Sequence, residues 1–278
     1  MGEFSTLFNL WAIAPAMRNI IFLFLASLIM FACKGRFFKN PTTSMEETIK
    51  RGQKFYVEPS KSFKHNDIIV FDYFGIDYNS RDETGQFSQK EQKRLMRLIA
   101  MSGDVFVIRH GEVYLNNVLI PLPPLGKMEY EIASKIPLAE LRDPEQVYAS
   151  QSGDTFKYIA PLTVEEVNNY ANNKTDIFSV KKHLREEFSI DTFFAKASTP
   201  GTWSLDDYGP LKIPSPGDSI FVNDTNYKLF HNIPGIHPGL NIIRDNLYFL
   251  MGDNRHFVED SRFIGLISQS KMYGIVVQ

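Results

Sequence analysis

Hydrophobic and polar positions change rhythm three times along this chain. From Ile20 to Cys33 the sequence reads Ile-Ile-Phe-Leu-Phe-Leu-Ala-Ser-Leu-Ile-Met-Phe-Ala-Cys, without a charge. Beyond it come short runs that alternate apolar with polar residues and are rich in β-branched and aromatic types, the pattern of half-buried strands. These runs predict strands at Lys54–Val57, Asp67–Phe71, Asp104–Ile108 and Glu112–Leu115, with His110-Gly111 as a two-residue hairpin turn between the last two. The rhythm then becomes helical. Thr163, with Glu166 three residues later, forms a capping box ahead of Val164, Val167 and Tyr170. Ile177, Val180 and Leu184 predict a second helix over Ile177–Phe188. Strands resume at Ser219–Val222, Leu247–Met251 and Lys271–Val277. Leu119–Pro124 and Tyr208–Asp218, rich in proline or glycine, punctuate the chain.

The expected fold is mainly β with an α+β insert. Residues 1–40 read as an N-terminal signal or membrane-anchor segment. Residues 41–118 and 239–278 read as a β-rich catalytic-type domain in two sequence halves, and 119–238 as a smaller α+β insert. There is no internal repeat and no low-complexity tract.

The fourteen apolar residues of 20–33 would span only about 21 Å as a helix, short of a ~30 Å hydrocarbon core. Extending the run back through Trp11 to Pro15 restores the length. It also draws Arg18 and Asn19 into the membrane, which is costly unless Arg18 snorkels. Met17-Arg18-Asn19 before the run and Met-Phe-Ala-Cys33 at its end resemble a bacterial lipoprotein signal, in which the sole cysteine is lipidated after cleavage and Met17 is the true start. Three readings therefore stand: a lipid anchor through Cys33, an uncleaved N-terminal span, or an ordinary buried helix. Either of the first two puts the rest of the chain outside the cytoplasm beside a membrane lipid surface. Ten residues separate Cys33 from Ser44, at most ~36 Å when extended, so Ser44 is expected near the membrane-facing edge.

Composition narrows the classes. With 278 residues, 44% of them hydrophobic, the chain can build one large or two modest cores. A net charge of −2 argues against a nucleic-acid binder held by a broad basic surface. One cysteine excludes a disulfide framework and a multi-cysteine zinc site, and the six histidines include no His-x-x-x-His pair. No cofactor and no metal is expected.

Four segments carry the candidate chemistry. They are Pro41-Thr42-Thr43-Ser44-Met45-Glu46-Glu47-Thr48-Ile49; Asn66-Asp67-Ile68-Ile69-Val70-Phe71; Met96-Arg97-Leu98-Ile99-Ala100-Met101-Ser102-Gly103-Asp104; and Met251-Gly252-Asp253-Asn254-Arg255, continuing to Asp260-Ser261-Arg262 and Gly265. In order and spacing they resemble the boxes of bacterial type I signal peptidases, P-S-x-S-M-x-P-T-L, G-D-I-V-V-F, K-R-x-x-G-L-P-G-D and G-D-N-R-x-x-S-x-D-S-R-x-W-G. The likeness covers roughly 41–118 and 240–278. Tyr208-Gly209-Pro210-Leu211 resembles the Bacteroidetes type of these enzymes.

The resemblance implies a membrane-bound serine endopeptidase of the Ser–Lys kind, acting on extended signal-peptide segments of exported proteins. A lysine amine takes the serine proton, and a backbone N–H with a neighbouring hydroxyl holds the oxyanion. Free lysine, with pKa near 10.4, is neutral in only about one molecule in 2,500 at pH 7, so burial must lower it. By resemblance Ser44 takes the nucleophile position and Thr42 the oxyanion hydroxyl, and Met45 lies beside the substrate pocket. Asp253 and Arg262 resemble the structural polar group near the site, with Asp260 anchoring Arg262. The lysine position, in register with Gly103-Asp104, is Met96, which has no basic nitrogen.

Lys93 lies on the opposite strand face, about 10 Å away. Arg94 shares the face of Met96 but does not deprotonate in proteins. His256 reads as a solvated loop residue. Further departures are Ser102 for proline, Val258 for a serine near the lysine, Ile264 for tryptophan and Glu47 for proline. The expectation is a catalytically impaired or inactive relative that keeps the peptide groove as a binding module in an envelope complex. The alternative is an active signal peptidase using Ser44 with a displaced base such as Lys93.

Overall fold

The computed structural model describes residues 35–81, 87–141, 143, 145–184 and 203–277. The apolar segment 20–33 and Cys33, on which the anchor expectations rest, lie outside the described residues. Among the described residues no helix is long and apolar enough to cross a membrane.

The protein is mostly β. Strands β1 (Arg36–Lys39), β2 (Lys54–Pro59), β3 (Ile68–Arg81), β4 (Phe87–Met101), β5 (Val105–Arg109), β6 (Glu112–Leu115) and β7 (Val118–Ile120) come first. Then follow β8 (Met128–Ser134), β9 (Tyr148–Ser152), β10 (Thr155–Leu162), helix α1 (Val164–Asn172) and β11 (Ile177–Lys182). The rest is β12 (Tyr208–Lys212), β13 (Ser219–Val222), α2 (Tyr227–Phe230), β14 (Gly239–Ile242), β15 (Leu247–Met251), α3 (Ser261–Ile264), β16 (Ile267–Ser268) and β17 (Met272–Val277).

The largest sheet has the order β1-β2-β17-β3-β4-β15-β16. It places the four boxes on one framework. In the β3–β4 pair Ile69 faces Met96 and Asp72 faces Lys93, and in the β4–β15 pair Arg97 faces Met251. Successive side chains of a strand point to opposite faces, and here both faces are buried. Ile69, Phe71, Met96 and Leu98 pack with Tyr248 and Leu250 on one side. Ile68, Val70 and Leu95 pack with Met45, Ile49 and Val57 on the other. That is why Ile68–Phe71 is unbroken apolar sequence: each face contributes its own core, at roughly 1.5–3 kcal/mol per fully buried aliphatic side chain.

A second sheet, β11-β8-β10-β9, lies within 128–182, and Val167 and Tyr170 of α1 pack on it. The capping box forms as expected, with Thr163 Oγ1 accepting from Glu166 N–H and Glu166 accepting from Thr163 N–H at 2.8 Å. The helix expected over Ile177–Phe188 does not form where it is described: Ile177–Lys182 is strand β11. Ile177 and Val180 fit either period, and β8 supplies a partner strand, with Val180 opposite Ile132. Tertiary pairing decides between the two readings.

The third sheet, β12-β5-β6-β7, ties residues 208–212 to β5, with Tyr208 opposite Ile108. Gly209 has φ +98°, and a Cβ there would meet Phe106 O at 2.7 Å, so the Tyr-Gly-Pro-Leu segment needs its glycine. Tyr208 thereby packs edge-on against Phe106 and at a tilt against Phe249 in a core shared by β5, β12 and β15.

Candidate active site

Ser44 lies in the turn between β1 and β2, at one wall of a groove of about 470 Å³. Thr42, Met96, Arg94 and Val258 line the same groove. Ser44 is 8% exposed, and its Oγ is 2.8 Å from Thr42 Oγ1. Its backbone N–H donates to Thr42 Oγ1 at 3.4 Å. The structure therefore brings Ser44, Thr42 and Met96, read from two separate boxes, to one groove.

The fourth box holds this turn from behind. Asn254 N–H donates to Ser44 O at 3.0 Å, and Asn254 Nδ2 donates to Gln146 Oε1 at 3.0 Å. The preceding Gly252 lies so close that a Cβ would meet Ser44 O at 2.6 Å and Val258 Cγ2 at 2.8 Å. Gly252→Ala is therefore expected to push the Ser44 turn out of place. It should cost about 1–3 kcal/mol, as overpacking of a tight contact does. Chemical denaturation would read this as a lower midpoint at unchanged slope. Unchanged stability in the alanine variant would refute the tight contact.

Met45 is fully buried among Ile49, Val57, Ile68 and Leu95, so it supports the turn from below and does not line the groove. Met96 is 2% exposed and sits among Ile69, Phe71 and Leu98, with Val258 packed against the same cluster. Lys93 also borders the groove. Its ammonium is 2.5 Å from Asp72 and lies 4.2 Å from the centroid of the Tyr273 ring. Tyr273 belongs to the opposite face of the sheet from Met96, as strand alternation predicts. Arg94 is bound to Glu259 at 2.8 Å.

Asp260 and Arg262 form a buried fork, with Arg262 Nε and Nη2 each 2.9 Å from an Asp260 oxygen. Asp253 is not part of that pair. It accepts Arg97 Nε and Nη2 at 2.8 and 2.6 Å and Thr48 Oγ1 at 2.5 Å, which ties the first, third and fourth boxes together. The reading of His256 as a solvated residue is overturned. Its side chain is fully buried, Nδ1 accepts from Glu129 N–H at 3.0 Å, and Nε2 meets Asp206 at 3.1 Å. It bridges the second sheet to the fourth box and is not among the groove-lining residues.

Sequence reasoning missed Lys127, whose ammonium is 2.9 Å from Glu47. Burial alone would raise the Glu47 carboxyl, but hydrogen bonds from Lys127 and Lys50 carry it below the usual carboxylate range. Lys127 follows a proline-rich stretch, and no spacing rule connects it to Glu47. Asn40, Arg97 and Gln146 were missed as well; Arg97 alone lay inside a recognised box. Among the described residues no group of three or more His, Cys, Asp or Glu is arranged to hold a metal ion.

The site is thus a serine–threonine hydroxyl pair at the wall of a groove in a β-rich domain. The chain belongs to the signal peptidase family, peptidase S26, whose model matches residues 13–278. It is similar to signal peptidase IB of Staphylococcus aureus, for example in strains Mu50, N315 and COL. The identity is 32% over 98 residues, covering 26% of this chain and 51% of each relative. The chain thus spans about half the length of the curated relatives it matches.

Proposed function

We propose that this protein holds extended, signal-peptide-like segments of exported proteins in the groove beside Ser44, and that its cleavage step is absent or strongly impaired. Ser44 stands at the nucleophile position, Thr42 at the oxyanion hydroxyl and Met96 at the position of the general-base lysine. The observation that carries the reading is Met96. A thioether that accepts no proton lines the groove with Ser44, sealed among apolar side chains at 2% exposure. The domain faces the outer side of a bacterial membrane, held by a single N-terminal span or by a lipidated Cys33, and its setting is a complex of the cell envelope.

The second reading keeps the peptidase active with Lys93 as a displaced base. In its favour, Lys93 borders the groove. Against it, the ammonium is engaged by Asp72 and the Tyr273 ring on the other face of the sheet.

The test is a labelled peptide carrying a small-residue cleavage site of the A-x-A kind, incubated with the full chain and with Ser44→Ala. Saturable binding with no cleavage above the Ser44→Ala background is expected. Turnover that Ser44→Ala abolishes would establish the active reading. Absence of binding would sink both.

A further inference from the structure

Asn40 is fully buried beneath the Ser44 turn. Its backbone is fixed on both sides, with N–H donating to Gln53 O at 2.9 Å and its carbonyl accepting from Gly52 N–H at 2.7 Å. The side-chain Nδ2 donates to Ile49 O at 2.7 Å. That bond sets the sense of the amide, so Oδ1 faces Thr42 as an acceptor without a proton of its own. There it accepts Thr42 N–H at 3.2 Å and lies 3.4 Å from the Thr42 hydroxyl, which donates to it. A threonine hydroxyl carries one proton and two lone pairs. Thr42 Oγ1 and Ser44 Oγ lie 2.8 Å apart, and either hydroxyl can be the donor; when the Thr42 proton is directed at Asn40, Thr42 Oγ1 is left as the acceptor for Ser44 Oγ–H, beside the Ser44 N–H that it accepts at 3.4 Å.

We propose that Asn40 is the positioning residue of the Ser44 site. By accepting the hydrogen bond of the Thr42 hydroxyl it makes Thr42 the acceptor for Ser44 and aims the free lone pairs of Ser44 Oγ into the groove. The inference rests on the reading of Ser44 as the nucleophile position. It adds a conformational step to that reading. The Thr42 proton is spent on Asn40 at rest, so the hydroxyl must rotate away before it can serve an oxyanion. Asn40 Oδ1 keeps the Thr42 backbone N–H throughout, and the turn does not move.

Ser44 can be tested without reliance on any protein base. A small fluorophosphonate at mildly alkaline pH forms a Ser44 Oγ–P bond, expels fluoride and gives the serine proton to hydroxide. Labelling is followed by mass spectrometry in the full chain, in Ser44→Ala as background, and in Asn40→Ala and Asn40→Asp. Peptide affinity and thermal unfolding are measured alongside.

Asn40→Ala is expected to label about tenfold more slowly, the equivalent of one lost hydrogen bond, while peptide Kd stays within about twofold. Asn40→Asp keeps an acceptor toward Thr42 but loses the donor to Ile49 O. It should be less stable than the parent yet label close to the parental rate, which separates an acceptor role from a filling role. In a Met96→Lys background that cleaves peptide, Asn40→Ala should lower kcat and leave KM unchanged.

Labelling of Asn40→Ala at the parental rate, equal losses of rate and affinity, or an Asn40→Asp as slow as Asn40→Ala would overturn the proposal. So would a parent chain whose Ser44 is never labelled. Labelling that depends on Asn40 in a chain to which Met96→Lys brings no cleavage would sink the base reading and leave the role of Asn40 standing.

Discussion

Met96→Lys is expected to raise Ser44-dependent peptide cleavage on the order of 10²–10⁴-fold, the usual worth of a positioned general base. Met and Lys have similar length and a similar apolar stem, so the new side chain can follow the path of the old one. Its amine then ends where Met96 now meets the groove with Ser44. The neighbours that suit a thioether, Ile69, Phe71 and Leu98, would strip water from the ammonium and push its pKa below the ordinary ~10.4. The rate should therefore rise with pH through that lowered pKa and then level, a limb absent from the parent chain.

Stability carries the opposite mark. A lysine whose folded pKa is depressed costs most when it is charged. The deficit of Met96→Lys should be full below the lowered pKa and shrink as pH rises toward ~10.4, the unfolded value.

Polar support for the amine is thin, which sets the size of the rescue. Val258 presents methyl groups to the cluster. Ser102 is committed elsewhere, donating to Pro214 O at 2.9 Å and accepting Leu247 N–H at 2.8 Å. Val258→Ser should add to the rescue in the Met96→Lys background and do nothing alone. If Met96→Lys gives no gain while peptide still binds, the binding-module reading stands. If the protein neither cleaves nor binds such peptides, the groove readings fail and function must be sought in 119–238.

The parts legible in the sequence were those whose signal is local. Strand alternation located Lys54–Val57, observed as Lys54–Pro59, together with Ser219–Val222 and Leu247–Met251, and the Thr163–Glu166 capping box located a helix start. The boxes singled out Ser44, Thr42 and Met96, which the structure brings to one groove, because short motifs are read as contiguous residues. What escaped was set by contacts distant in sequence. Asp253 pairs with Arg97, 156 positions away, and His256 is buried by Glu129 and Asp206, 127 and 50 positions away. The strand at Ile177–Lys182 escaped for the same reason: its apolar spacing fits a helix, and only the neighbouring β8 makes it a strand. Asn40 was invisible because its role depends on one amide seated under a turn, which no residue spacing encodes.

Asp260→Ala is expected to destabilise the fold by about 3–5 kcal/mol, because it leaves a buried guanidinium without its counter-charge. Arg262 is the largest fully buried side chain of the described protein. Burial pushes such a group down, but Asp260 outweighs that and holds Arg262 above its ordinary value. Its neighbour Arg255 shows what burial does when no carboxylate forks it: that guanidinium is pushed down to about 10. Asp260 also caps α3 through Arg262 N–H at 3.1 Å and receives Gly252 N–H at 3.4 Å. One substitution thus removes the acceptor of four N–H donors. Arg262 meanwhile gathers Leu205 O at 3.2 Å and Arg255 O, so its loss of anchorage reaches the loop that carries Val258 to the groove. Urea unfolding should show a lower midpoint with unchanged slope, and peptide affinity should fall with it. Asp260→Asn, which keeps an acceptor and the cap, should lose less. Adding Arg262→Met to Asp260→Ala should recover part of the deficit, since two apolar groups cost less than one unpaired charge. An Asp260→Ala protein as stable as its parent, or a double variant worse by the sum of the two single losses, would show that the pair is not what holds the fourth box in place.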